Sequence, residues 1–366
     1  MTEKRHKKYN NPVSATLTGI SDLFRKQVPA GTLKTTDRLD GKTVLVDGSS
    51  SGLGFAIAVD CAKRGAKVIM ACRSEIPEMG EKVKKCSGNQ DIHMLHVDFS
   101  DIRSINKLVA DLCTPSLFGE GVGGGVFPGQ GAGGGVDILV CNAGIVPKQS
   151  RKTPQGLEEM FMVNYLSKFI FVNLLLQNHC FSDAGPATMD PKSKIEDRRS
   201  KIEDRKSKIP RIIFIASESH RNPEKFEWDD FGKFRDYSIG KSIELYGYYK
   251  LLLTTFSVEL SRRLNPAGSV NFSVFSLCPG PVNSNIAREA PKIFMPLLKL
   301  VFGIFFKSPA KAAVPAVYLA ASRDMEGKSF DYLFLMSRKE VDEKASDPEN
   351  GKRLWELSEN LWHRLA

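Results

Sequence analysis

Tyr246 and Lys250 stand four residues apart in YGYYK, a spacing that sets both side chains on one face of a helix. An ammonium beside a phenol favours the phenolate and lowers a pKa that is ordinarily about 10, so the pair predicts an acid/base active near neutral pH. Ser217 follows the apolar run RIIFIA and precedes the pair, and its hydroxyl suits a hydrogen bond to the oxygen of a reacting carbonyl. Together the three side chains fit a hydride transfer in which carbon is reduced and the resulting alkoxide is protonated by Tyr246. Each also has an ordinary explanation: a packed phenol beside a solvated ammonium, or a strand-end serine that caps a turn, with Ser219 close enough to replace Ser217. Order along the chain separates the two readings. The pair lies between the fifth and sixth expected strands, on the helix facing the strands' carboxyl ends, where open α/β sheets bind ligands.

A hydride needs a carrier, and residues 48–54, GSSSGLG, supply a place for one. The segment follows an apolar strand pattern and opens a helical one. Gly48, Gly52 and Gly54 let the backbone turn sharply and approach a pyrophosphate, while the amides around Ser50, Ser51 and Leu53 at the helix start face its charge. The second strand ends in VIMACRS, which offers Arg73 where an NAD-selective site holds a carboxylate against the ribose 2′-hydroxyl. A guanidinium suits a 2′-phosphate, so NADP(H) is expected ahead of NAD(H). The plain alternative for Arg73 is a surface arginine offset by Glu75.

These motifs, in this order, resemble the short-chain dehydrogenases/reductases, whose glycine pattern is GxxxGxG, and the resemblance runs from about Gly41 to the C-terminal region. It extends to Asn142, Ala143 and Gly144 in CNAG, similar to the element that lies over the cofactor, and to Asn164 in VNYLSK, at the position of a structural and proton-relay asparagine. Pro279, Gly280, Val282 and Ser284 resemble the loop that closes over the nicotinamide. Asp98 with Phe99 matches the adenine-contacting position, although Asp98 fits an Asx turn equally well. The resemblance further implies that Lys250 holds the nicotinamide ribose and that Asn164 anchors a water. Two positions depart from the pattern: Asp47 stands where the family usually has Thr, and Tyr249 where Ser is frequent. An aspartate beside a pyrophosphate is unfavourable unless its hydrogen bonds turn it away.

Within the family, ACR at 71–73, SESH at 217–220, KSPAKAAVPAVYLAAS and LWELSE are similar to the retinol dehydrogenase-like and light-dependent reductase-like groups. That similarity implies a lipophilic alcohol or carbonyl, retinoid- or steroid-like, as substrate. The apolar stretch 294–306 reads equally as a lid over such a substrate or as an ordinary buried helix. The same face suits a membrane surface, but Pro296 and Lys299 interrupt it and it is too short to span a bilayer. Homodimers or homotetramers are common in the family. A non-catalytic dinucleotide-binding protein, acting through a partner or a membrane surface, is the alternative class.

Positioning these residues requires a doubly wound α/β fold of Rossmann type with a parallel sheet. Strands are expected at 43–46, 67–71, 93–97, 137–140, 211–216 and 270–277, with helices between them. The domain is read as residues 41–340, preceded by a basic extension (1–40) and followed by a helical tail (341–366). Two insertions interrupt it: the Gly-rich stretch near 117–136 and a segment at 183–210 that repeats SKIEDR. One Ile per heptad in that repeat is too little for a coiled-coil seam. The net charge of +10 suggests nucleic acid only until it is located: residues 1–40 and 190–211 together carry eight of the ten charges, and no basic run is interleaved with aromatics. The seven scattered cysteines form no CxxC pair, so neither a disulfide framework nor a metal site is expected. A reducing, cytoplasmic setting fits, with an intracellular membrane surface as the other expected location.

Overall fold

The computed structural model describes residues 28–113, 135–182, 208–266, 269–280, 282 and 308–365. Most of the basic extension, both insertions apart from their edges, Ser284 and the apolar stretch 294–306 lie outside the described residues.

Eight strands form one sheet in the order β3-β2-β1-β4-β5-β6-β7-β8: β1 (Thr43–Asp47), β2 (Lys67–Cys72), β3 (Ile92–His96), β4 (Ile138–Cys141), β5 (Arg211–Ile215), β6 (Ser273–Cys278), β7 (Phe330–Phe334) and β8 (Ser337–Arg338). All neighbours are parallel except β7 and β8. Strands β1, β4, β5 and β6 are buried along their whole length, as expected of a sheet covered on both faces. On one face lie α1 (Gly52–Lys63), α2 (Glu78–Ser87) and α6 (Pro309–Ala321). The other carries α3 (Ile102–Leu112), α4 (Glu159–Gln177), α5 (Ile239–Leu264), α7 (Glu343–Ser346) and α8 (Pro348–Leu365).

The sixth strand begins three residues later than expected because Asn265 closes the turn before it. Its Oδ1 accepts the amides of Asn271 and Phe272 at 2.8 and 3.0 Å, and its Nδ2 donates to the Phe272 carbonyl at 2.9 Å. The tail is helical as expected, yet it is no appendage. Trp355 meets Phe169 edge-on at 5.1 Å, and Ser358 hydrogen-bonds Tyr165 in the interior. Residues 28–40 likewise pack on the domain: Leu39 is buried, and Arg64 donates to the carbonyls of Lys34 and Asp37.

Helix α4 is long and apolar enough to cross a membrane, and it lies mostly buried in the core. A π-helical turn over Met162–Leu166 re-aims its side chains toward the loop that follows β4.

Candidate active site

A cleft of about 500 Å³ opens at the carboxyl ends of β1, β2, β4, β5 and β6. It lies where the strand order reverses around β1 and β4, the ligand-binding position of such sheets. Gly48 at its floor has φ +60°, and a Cβ there would come within 2.8 Å of the Ala143 backbone. Gly54 does not line the cleft; a Cβ on it would lie 2.5 Å from both the Asn142 amide and the Gly48 carbonyl. One glycine thus permits the turn and the other the close approach of two loops. Helix α1 has no acidic residue in its first turn, and Ser51 does not cap it with its side chain, so its N-terminal field faces the cleft. Ser50, Ser51, Gly52 and Leu53 line that wall. The cradle fits a dinucleotide pyrophosphate.

Asp47 is turned away from the cleft. It is fully buried; its Oδ1 accepts the amides of Asn142 (2.6 Å) and Ala143, and its Oδ2 receives Lys168 Nζ at 2.8 Å. The electrostatic difficulty raised by an aspartate at this position is met by a lysine on α4. Asn142 completes the joint by donating from Nδ2 to the carbonyls of Asp47 and Gly48, both at 3.1 Å. Ala143 and Gly144 lie beside it on the cleft wall. Asn164 is buried beneath this loop rather than in the cleft: its Oδ1 accepts Ile145 N at 2.8 Å and its Nδ2 donates to Ile145 O at 2.9 Å.

Ser217, Tyr246 and Lys250 come together at the inner end of the cleft. Ser217 Oγ accepts both the Ser219 hydroxyl (2.8 Å) and the Ser219 amide (3.2 Å). With its acceptor positions used, its own proton is the donor in its hydrogen bond with Tyr246. Gly247 allows this approach, since a Cβ there would lie 2.9 Å from the Ser219 carbonyl. Lys250 Nζ donates to the Ile215 carbonyl at 2.7 Å and lies 5.6 Å from the Tyr246 ring centroid. The expected lowering of the Tyr246 pKa by Lys250 is not found. Burial, reinforced by the Cys278 side chain, pushes the phenol well above its ordinary value, and the hydrogen bond with Ser217 opposes this only in part. Burial, reinforced by the Lys168 ammonium, also brings Lys250 down to about 8. Tyr246 is accordingly a neutral phenol, a proton donor. Tyr249 takes no part, for it is buried against Phe161 and hydrogen-bonds Glu158.

Arg73 is exposed at the end of β2 on the cleft wall, with no hydrogen bond or ion pair among the described residues. Three other cations in this half of the chain are committed. Lys42 pairs with Asp137 at the opposite, amino-terminal end of the sheet, Arg64 with Asp60, and Arg103 with Asp101. Asp98 makes the Asx turn, its Oδ1 accepting from Ser100 N and Oγ, and it also lines the cleft beside Phe99. Pro279, Gly280 and Val282 form the facing rim. Sequence reasoning missed the cleft residues Ile145, Val146 and Pro147, and it missed Lys168, whose signal was being the only charge among residues 160–176.

His220 locks the serine segment from behind: its Nδ1 donates to the Ser217 carbonyl at 2.6 Å and its Nε2 accepts the Asp342 amide at 3.2 Å. Burial lowers its pKa from 6.5 to about 4. The unfolded chain therefore binds a proton that the folded one refuses, and stability falls as pH drops through that window, by on the order of 3 kcal/mol. His220→Gln is expected to flatten the fall; denaturation midpoints with equal pH slopes in both proteins would assign it to another group.

A family model described as short chain dehydrogenase matches residues 42–115. Retinol dehydrogenase 14 of Homo sapiens is 29% identical over 340 residues, covering 88% of this chain and 86% of that protein. Among solved structures, an angucycline C-6 ketoreductase with bound NADP superposes with TM-score 0.54 at 23% identity, over 81% of this chain and 95% of that one. A 3-ketoacyl-(acyl-carrier-protein) reductase from Brucella melitensis, complexed with NADH, gives 0.52 at 20% identity, over 84% and 100%.

Proposed function

The chain belongs to the short-chain dehydrogenase/reductase family, in its retinol dehydrogenase-like subgroup, and we propose that it interconverts a carbonyl and an alcohol on a lipophilic, retinoid- or steroid-like substrate with NADP(H). The observation that carries this reading is the convergence of the Gly48–Gly54 cradle, unpaired Arg73 and the Ser217, Tyr246 and Lys250 group on one cleft. Gly48–Gly54 would hold the pyrophosphate of a dinucleotide whose nicotinamide would supply or accept the hydride. Ser217, with its oxygen already accepting from Ser219, turns its proton from Tyr246 to the substrate oxygen and orients it. Tyr246 then passes its proton to that oxygen as negative charge develops there, so its raised pKa suits carbonyl reduction. Lys250, anchored on the Ile215 carbonyl beside the phenol, is the group that would hold the nicotinamide ribose, the role the family resemblance gives it.

The fold neighbours are complexed with either nicotinamide cofactor; what supports NADP(H) is Arg73, an exposed guanidinium on the cleft wall of the type that suits a 2′-phosphate. Ile145, Val146 and Pro147 give the cleft the apolar wall that a lipophilic substrate needs. The test is NADPH oxidation by the purified protein across aldehydes and ketones that include retinal, with NADPH fluorescence reporting binding. Turnover of retinal or a similar apolar carbonyl is expected. Tight NADPH binding without turnover of any carbonyl would leave the non-catalytic alternative standing.

A further inference from the structure

Lys168 and Asp47 form a buried ion pair, 2.8 Å apart, with side chains 1% and 0% exposed. Such a pair is costly to desolvate, and removing one partner leaves an uncompensated charge in the interior. Its location explains what it does there. Asp47 ends β1 immediately before the Gly48–Gly54 cradle, and its Oδ1 grips the amides of Asn142 and Ala143. Lys168 lies one helical turn after Asn164, so both project from the same face of α4. Asn164 holds Ile145 and Lys168 holds Asp47, which leaves the whole loop 142–145 suspended from that face. Lys168 Nζ also sits 3.7 Å over the ring of Phe99, a residue of the cleft wall. The ammonium is thus sandwiched between a carboxylate and an aromatic face beneath the cofactor cradle.

We propose that Lys168 is a positioning residue for the cofactor: acting through Asp47, it fixes loop 142–145 and cancels the negative charge at the root of the pyrophosphate cradle. This rests on the dinucleotide reading of the cleft. Charge at this depth is weakly screened, so the sign of the imbalance should govern the affinity for an anionic ligand.

The experiment is NADPH titration by fluorescence on four proteins, with melting temperatures recorded alongside. Lys168→Met leaves Asp47 alone and is expected to weaken NADPH about fivefold. Asp47→Asn retains an acceptor for the loop amides but leaves the ammonium in excess, so affinity should exceed that of wild type, by about fivefold. The double variant Asp47→Asn/Lys168→Met is neutral and should return to within about twofold of wild type. A pair that serves stability alone would weaken NADPH in both single variants or in neither, and either pattern overturns the proposal. Should Lys168→Met not fold, the double variant must bind more weakly than Asp47→Asn; equal binding overturns the proposal as well. Failure of wild type to bind NADPH would instead sink the dinucleotide reading itself, and this inference with it.

Discussion

Tyr246→Phe is expected to abolish at least ~100-fold of the turnover while leaving the fold and NADPH affinity close to those of wild type. The substitution removes one hydroxyl and no ring contact. That hydroxyl hydrogen-bonds Ser217, but Ser217 keeps both of its bonds from Ser219, so the serine stays in place when the phenol is lost. Among the described residues of the cleft, nothing else supplies an equivalent proton. Cys278 is the nearest alternative, and burial pushes its thiol up to about 12; Lys250 is tied to the Ile215 carbonyl. Comparing kcat and NADPH affinity in the two proteins checks the assignment. Comparable turnover would remove Tyr246 from the chemistry, and a parallel loss of NADPH binding would make the phenol structural.

The sequence made this site legible because its residues recur in a fixed order at strand ends, and strands buried on both faces read as continuous apolar runs. Five of the six expected strands overlap the observed ones closely, and of these β1, β4 and β5 are buried along their whole length. The sixth started late because a single side chain, Asn265, fixes its entry, and apolar periodicity carries no trace of that. Strand β7 went unread because FDYLF places Asp331 inside a short run, and its partners Lys328 and Arg338 are apparent only once β7 and β8 pair. The phenol's raised pKa was out of reach for a related reason: spacing brings Lys250 near Tyr246, but burial, which wins here, is a property of the folded interior. Lys168 and Asp47 are 121 residues apart. Asp47 alone read as an anomaly, an aspartate in place of a threonine, while Lys168 passed unremarked in an apolar run, and only the contact between α4 and the end of β1 makes the two one feature.

Arg73→Ala is expected to weaken NADPH selectively, by about 1.5–3 kcal/mol, while scarcely altering NADH, so that selectivity falls at least tenfold. The structure sharpens this expectation. Lys42, Arg64 and Arg103, each near enough in sequence to share a 2′-phosphate, are bound to Asp137, Asp60 and Asp101, and Lys42 stands at the far end of the sheet. Among the described residues, little remains to buffer the loss of Arg73. Because the guanidinium is exposed, its attraction to a phosphate is screened by salt, and the wild-type preference for NADPH should shrink as ionic strength rises. The same salt series on the Arg73→Ala protein should be flat in the NADPH to NADH ratio. Titrating both cofactors against both proteins therefore tests the residue twice, once by its removal and once by screening. Equal weakening of the two cofactors would give Arg73 a role in holding the end of β2, and a wild type that already favours NADH would reverse the cofactor assignment.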